Sequence, residues 1–167
     1  MRPLLLLDVD GPLNPYRAKA IPPGYVRHEI VEGEKTWVVL LNPQHGVELN
    51  TLAGSFELVW ATTWEHGANR LLGPLLGLPE LPVIIWPPRE SMTRTRRGSW
   101  KTPYIAEWAA DRAFAWVDDE VNRYDRFYLD NAHGPAHLAH RVEPHVGLTA
   151  ADFAVLKGWA ENPLRTR

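Results

Sequence analysis

Short, mainly apolar runs alternate along the chain with polar stretches rich in proline and glycine. Residues 4–7 (LLLL) stop abruptly at Asp8, Val9, Asp10 and Gly11, and residues 56–61 (FELVWA), 81–86 (LPVIIW) and 114–117 (FAWV) repeat the pattern. Apolar runs of this length, bounded by turn signals, predict strands buried on both faces, as in a parallel sheet covered by helices. Ala68, Leu71, Leu72 and Leu75 recur at helical spacing from Glu65 until Gly77 and Pro79 end the pattern. Pro103 suits the first turn of a helix running through Trp108 and Ala110. Thr149, with Asp152 three residues on, predicts a capped last helix carrying Phe153, Leu156 and Trp159, stopped at Asn162 and Pro163. Residues 47–53 and 121–132 carry weaker helical signals, and 136–142 reads as a less apolar strand at a sheet edge.

Residues 25–31 and 36–41 differ, with β-branched and aromatic side chains on either side of Glu32, Gly33, Glu34 and Lys35, which is a hairpin signal. Strands alternating with helices predict an α/β fold with a doubly wound parallel sheet and right-handed crossovers. The hairpin, about residues 25–41, is its small insertion, and nothing in the pattern is long enough for a large cap. No repeat or linker divides the chain, so a single domain over residues 1–167 is expected.

Composition narrows the class without deciding it. With 45% hydrophobic and 23% charged residues the chain is ordinary for a globular protein, and a net charge of -2 makes no global case for nucleic acid or a membrane. The absence of cysteine excludes disulfides, thiolate nucleophiles and cysteine-ligated zinc. The first apolar run is too short for a secretory signal and no segment approaches a bilayer span, so a cytoplasmic protein is expected. Fifteen prolines and eight tryptophans predict stiff loops and large anchoring side chains.

Chemistry gathers where the strands end. Asp8 with Asp10, Thr62 with Thr63, and Asp118 with Asp119 each follow an apolar run. The carboxyl ends of parallel strands lie on one side of a sheet, where ligands bind in open α/β folds. Clustered carboxylates repel one another unless a cation or shared proton intervenes, which makes a metal the natural inference. His133, His137 and His140 have a suggestive spacing, but Gly134 and Pro135 break the helix it needs, so they are expected to be scattered surface histidines.

In order, spacing and strand context, LLLLDVDGPLN, LVWATTW, Lys101 and FAWVDDE resemble the four motifs of the haloacid dehalogenase superfamily, whose Mg2+-dependent phosphatases share a Rossmann-like core. The resemblance implies a phosphomonoesterase with Asp8 as nucleophile and Asp10 as general acid and base, its backbone carbonyl also binding metal. Thr62, first past its strand, and Lys101 would hold the phosphoryl group, and Asp118 and Asp119 would complete a Mg2+ site. Pro12 departs from the threonine or valine common after the glycine and removes an N–H. The chemistry is coherent: a phosphate dianion meets a carboxylate only where cations cancel the repulsion, and Mg2+ favours oxygen ligands.

Small size and the missing cap imply an open site. Arg89, Arg94, Arg96 and Arg97 precede Lys101, and Thr63, Trp64, Trp86 and Trp100 lie nearby in sequence, so Thr63, Trp64, Arg94, Arg96 and Arg97 are candidate substrate contacts. Arginine forks suit phosphate and indoles stack on bases, which points to a nucleotide or a nucleic-acid end as substrate. His66 is a further candidate contact. The stretches LDVDGPLNP and VWATTWEHGAN also resemble phosphatase domains associated with bacterial RNA repair. A small-metabolite phosphatase closed by a partner chain, and a non-catalytic binding module of the same fold, are the alternatives. The sequence leaves oligomeric state open.

Overall fold

A computed structural model describes residues 1–92 and 97–163. Four parallel strands form the central sheet: β1 (Leu4–Leu7), β4 (Glu57–Trp60), β5 (Phe114–Asp118) and β6 (His137–Arg141), in the order β4-β1-β5-β6. An antiparallel hairpin of β2 (Val26–Glu32) and β3 (Lys35–Leu41) is inserted after β1. The helices are α1 (Pro43–Leu52), α2 (Gly73–Leu76), α3 (Thr102–Ala109), α4 (Arg123–Ala132) and α5 (Ala150–Glu161).

The all-leucine β1 is buried on both sides because each face has its own cover. Leu5 and Leu7 join Leu58, Trp60, Ala115 and Val117 against Leu49 of α1, Leu76 of α2 and Phe153 and Leu156 of α5. Leu4 and Leu6 join Val59, Phe114 and Trp116 against Ile105 and Ala109 of α3 and Leu129 of α4. The strand's two-residue period divides one apolar run between two cores. This is the mixed α/β, Rossmann-like architecture expected from the sequence, with the hairpin as a small addition.

Three elements differ from expectation. Residues 81–86 do not form a strand; Val83 makes a single bridge to Trp60, because Pro82, Pro87 and Pro88 lack the N–H groups a ladder needs. That segment is instead tied down by Asn69, whose side chain bonds the N–H and carbonyl of Leu81 and the indole N–H of Trp60. The helix expected after Glu65 is a π-helical turn (Ala68–Leu72) running into the short α2. Helix α1 begins at Pro43, four residues before the predicted start, because Asn42 caps it through Gln44 N–H. The last helix has the predicted capping box of Thr149 and Asp152. Among the described residues no helix is long and apolar enough to cross a membrane.

Candidate active site

Sheet register delivers the first two acids. Leu7 is level with Trp60 on one side and Val117 on the other, so the chain passes Asp8 and Asp118 side by side at the carboxyl rim. Lys101, at the start of α3, reaches between them: its Nζ donates to Asp8 Oδ2 at 2.8 Å and to Asp118 Oδ2 at 2.7 Å. All three side chains are buried. The remaining oxygens are held by backbone, Asp8 Oδ1 accepting from Val9 N–H and Asp118 Oδ1 from Glu120 N–H, each at 2.8 Å.

Asp119 completes the cluster. One oxygen from each of Asp8, Asp118 and Asp119 lies within 4.8 Å of the others, and Tyr16 donates to Asp119 Oδ2 at 3.1 Å. Gly11 makes this possible. Its φ of +95° belongs to the region glycine favours, and a Cβ there would stand 2.6 Å from Asp119 Cβ. The loop after β1 therefore passes against Asp119 only with no side chain at residue 11.

Two carboxyl groups share one ammonium and a third, Asp119, stands beside them, so the cluster is short of positive charge. Burial works against the charge on Lys101, but Asp8 and Asp118 outweigh it and hold its amine above the ordinary lysine range. Burial and the neighbouring Asp8 push Asp118 up to about 8 against the pull of Lys101. Burial, with Asp8 and Glu120 adding to it, also raises Asp119. A compact set of hard oxygen donors short of positive charge fits a divalent cation such as Mg2+.

Asp10 stands apart from this trio. Its Oδ1 accepts from Asn14 Nδ2 at 2.7 Å and its Oδ2 from the Trp64 indole N–H at 3.0 Å. Burial raises its carboxyl pKa, and these two hydrogen bonds restrain the rise. Asn14 in turn accepts from Leu40 N–H of β3 at 2.9 Å, which ties the hairpin to the acid.

The two threonines part company. Thr62 is fully enclosed, its hydroxyl accepting from Trp64 N–H and its carbonyl from the Trp86 indole, whereas Thr63 is exposed. Being first past the strand sealed Thr62 inside the loop. Trp86 is buried, its N–H committed to that carbonyl, and meets Trp100 edge-on. Arg97 is exposed and lies over Tyr124 of α4 at 5.4 Å. Arg94 and Arg96 lie outside the described residues.

Two clefts open at this rim. One, of about 770 Å³, has Asp10 in its wall and lies between the hairpin, with Lys35 and Trp37, and the turn carrying Thr63, Trp64 and His66. The other, of about 680 Å³, shares Thr63 but is walled by Trp86, Arg89 and Trp100. The histidines of the β6 region are not scattered over the surface. His133, at the end of α4, and His137, at the start of β6, are buried against Phe114, and His140 is paired with Asp152 at 2.7 Å.

Several contributors were given no role by the sequence: Asn14 closes the first motif stretch, Tyr16 falls in the loop after it, and Asp125 is one more acid in a weakly helical segment. Yet the buried Asp125 carboxylate accepts from Ser99 N–H (2.7 Å), Thr102 Oγ1 (2.5 Å) and Asn122 N–H (2.8 Å), joining the start of α3, where Lys101 sits, to the cap of α4. Gly98 allows this closeness, since a Cβ there would lie 2.4 Å from Asp125 Oδ1.

No match to a curated protein or to a solved structure was found. The chain does match, over residues 4–153, the family described as the HAD domain in Swiss Army Knife RNA repair proteins. That span runs from the first residue of β1 into α5 and takes in the whole acid cluster. The chain belongs to this family and has the core of a haloacid dehalogenase-type hydrolase.

Proposed function

We propose that this domain is a Mg2+-dependent phosphomonoesterase that works through an aspartyl phosphate on Asp8, with nucleotides or phosphorylated polynucleotide ends as substrates. The observation that carries the reading is the Lys101 ammonium held between buried Asp8 and Asp118, with Asp119 beside them. The family's association with RNA repair supports a polynucleotide end. We also read the chain as one domain with no large cap, acting in the cytoplasm.

In this mechanism an Asp8 oxygen attacks phosphorus as the bond to the ester oxygen breaks, and Asp10 delivers a proton to that leaving oxygen. Asp10 then takes a proton from a water that attacks the phosphorus of the acyl phosphate, freeing Asp8 and inorganic phosphate. Raising Asp10 by burial suits it to both steps, since it must hold the proton first and recover it later. Lys101 keeps Asp8 oriented and offsets its charge as the dianion approaches. Mg2+, held by Asp8, Asp118, Asp119 and the Asp10 carbonyl, would supply further charge neutralisation at the phosphoryl oxygens. Thr62 is read as the hydroxyl that meets the phosphoryl group together with Lys101, and Thr63, exposed beside Asp10's cleft, as a substrate contact.

The test is Asp8→Asn, assayed with Mg2+ on 4-nitrophenyl phosphate and on oligonucleotides carrying 3′ or 5′ phosphates. The expected result is a loss of turnover of about a thousandfold or more with an unchanged circular dichroism spectrum. Hydrolysis at the parent's rate by the variant overturns the assignment.

A further inference from the structure

We propose that the cleft between the hairpin and the turn after β4 is a nucleobase seat, and that the nucleoside it holds is the leaving alcohol of the reaction. The inference rests on the phosphatase reading for its orientation. An acid that protonates the leaving oxygen must lie on the leaving-group side of the phosphorus, and the cleft that includes Asp10 in its wall is therefore where that alcohol extends. Its volume of about 770 Å³ is that of a small-molecule site.

The lining selects the class of alcohol. Trp37 of β3 and Trp64 present two half-buried indoles, with ring centroids 5.5 Å apart and planes tilted by 54°. A ring inserted between them would need about 7 Å, twice a van der Waals contact. A base must instead lie against the indole surface that lines the cleft. His66 and Lys35 stand around the same space and suit the polar edges of a base or ribose hydroxyls. Arg70, also in the lining, is paired with Glu32, so the cleft is not a simple phosphate trap. A base-free sugar phosphate has no flat face for the indoles, and a lipid alcohol would bury no polar edge against His66 and Lys35.

The seat is wired to the acid. Trp64 donates to one oxygen of Asp10, and Asn14 bonds the other while accepting from the hairpin backbone at Leu40. A base packed on Trp37 and Trp64 therefore bears directly on Trp64, one of the two groups that orient Asp10. Removing the base from the substrate is expected to lower kcat as well as raise KM, since binding energy remote from the reacting atoms is then lost to the transition state.

The experiment compares the Mg2+-loaded protein on nucleoside 3′- and 5′-monophosphates, ribose 5-phosphate, and a short oligonucleotide with a terminal phosphate. A preference in kcat/KM for the nucleoside phosphates over ribose 5-phosphate of about 5- to 100-fold is expected from stacking on one base. That ratio should fall toward one in Trp37→Leu and persist in Trp37→Phe. A ratio near one in the parent, or equal losses on both esters in Trp37→Leu, overturns the seat. A higher kcat/KM for the oligonucleotide assigns the nucleoside to a strand end and a higher value for the mononucleotide assigns a free nucleotide, and either supports the seat. If the parent hydrolyses none of these esters the phosphatase reading fails, and the seat is judged by quenching of tryptophan fluorescence. Quenching by a nucleoside monophosphate and not by ribose 5-phosphate supports it; equal or absent quenching overturns it.

Discussion

Replacing Lys101 with methionine removes the cation that lies between Asp8 and Asp118 while keeping most of the side chain's volume. Two charge-assisted hydrogen bonds of 2.8 and 2.7 Å disappear, and two carboxylates at a buried site are left facing each other. Breaking one member out of a buried ion pair typically destabilises by about 3–5 kcal/mol, because the remaining charge stays desolvated. Here that residue of charge is partly relieved by protonation. Burial and Asp8 already hold the Asp118 carboxyl well above the ordinary carboxylate range with Lys101 present, and losing the ammonium moves it higher still. A carboxyl whose folded-state pKa is raised stabilises the fold below its unfolded value, and that stability is lost as pH rises through the folded value. The cost of Lys101→Met is therefore expected to sit near the lower end at pH 5 and near the upper end at pH 8.5. Urea denaturation in EDTA at the two pH values measures it, and adding Mg2+ should recover part of the loss at pH 8.5, where the carboxylates are ionised. A cost below about 1 kcal/mol, or one that does not change between the two pH values, would refute the account of a charge-starved buried cluster.

Gly11→Ala should destabilise the protein by about 2 kcal/mol or more, from strain at positive φ and the clash with Asp119, and should weaken Mg2+ binding; thermal melts and a Mg2+ titration test both. Asp125→Asn keeps the shape of the α3–α4 junction but turns a donor toward groups that donate to it, so a loss of about 2–3 kcal/mol is expected together with a fall in kcat larger than any rise in KM. Trp64→Phe removes a hydrogen bond that holds the raised Asp10 pKa down, so the alkaline limb of the kcat/KM profile should move to higher pH; a limb that stays put or moves down contradicts the role given to Asp10.

What could be read from the chain was whatever depends on neighbours in sequence. Three of the four apolar runs form strands because each is long enough for one pass of a covered sheet, while residues 81–86 show how prolines cancel a run that hydrophobicity alone favours. The pairing of acids and hydroxyls with strand ends was equally legible, since parallel strands point their carboxyl ends one way. Register then decided which of those groups meet: Lys101 and Asp8 are 93 residues apart, and Trp64 and Asp10 are 54 apart. No local pattern says that Asn14 will bridge the hairpin to Asp10, that Thr62 will be sealed while Thr63 faces out, or that Asp125 will gather three donors. Such contacts arise only when two cores close on the sheet and fix how far each loop reaches. The same closure set Trp37 beside Trp64 in the cleft that includes Asp10, a pairing hidden in the sequence because Trp37 comes from an insertion that the strand and helix periods did not tie to the site.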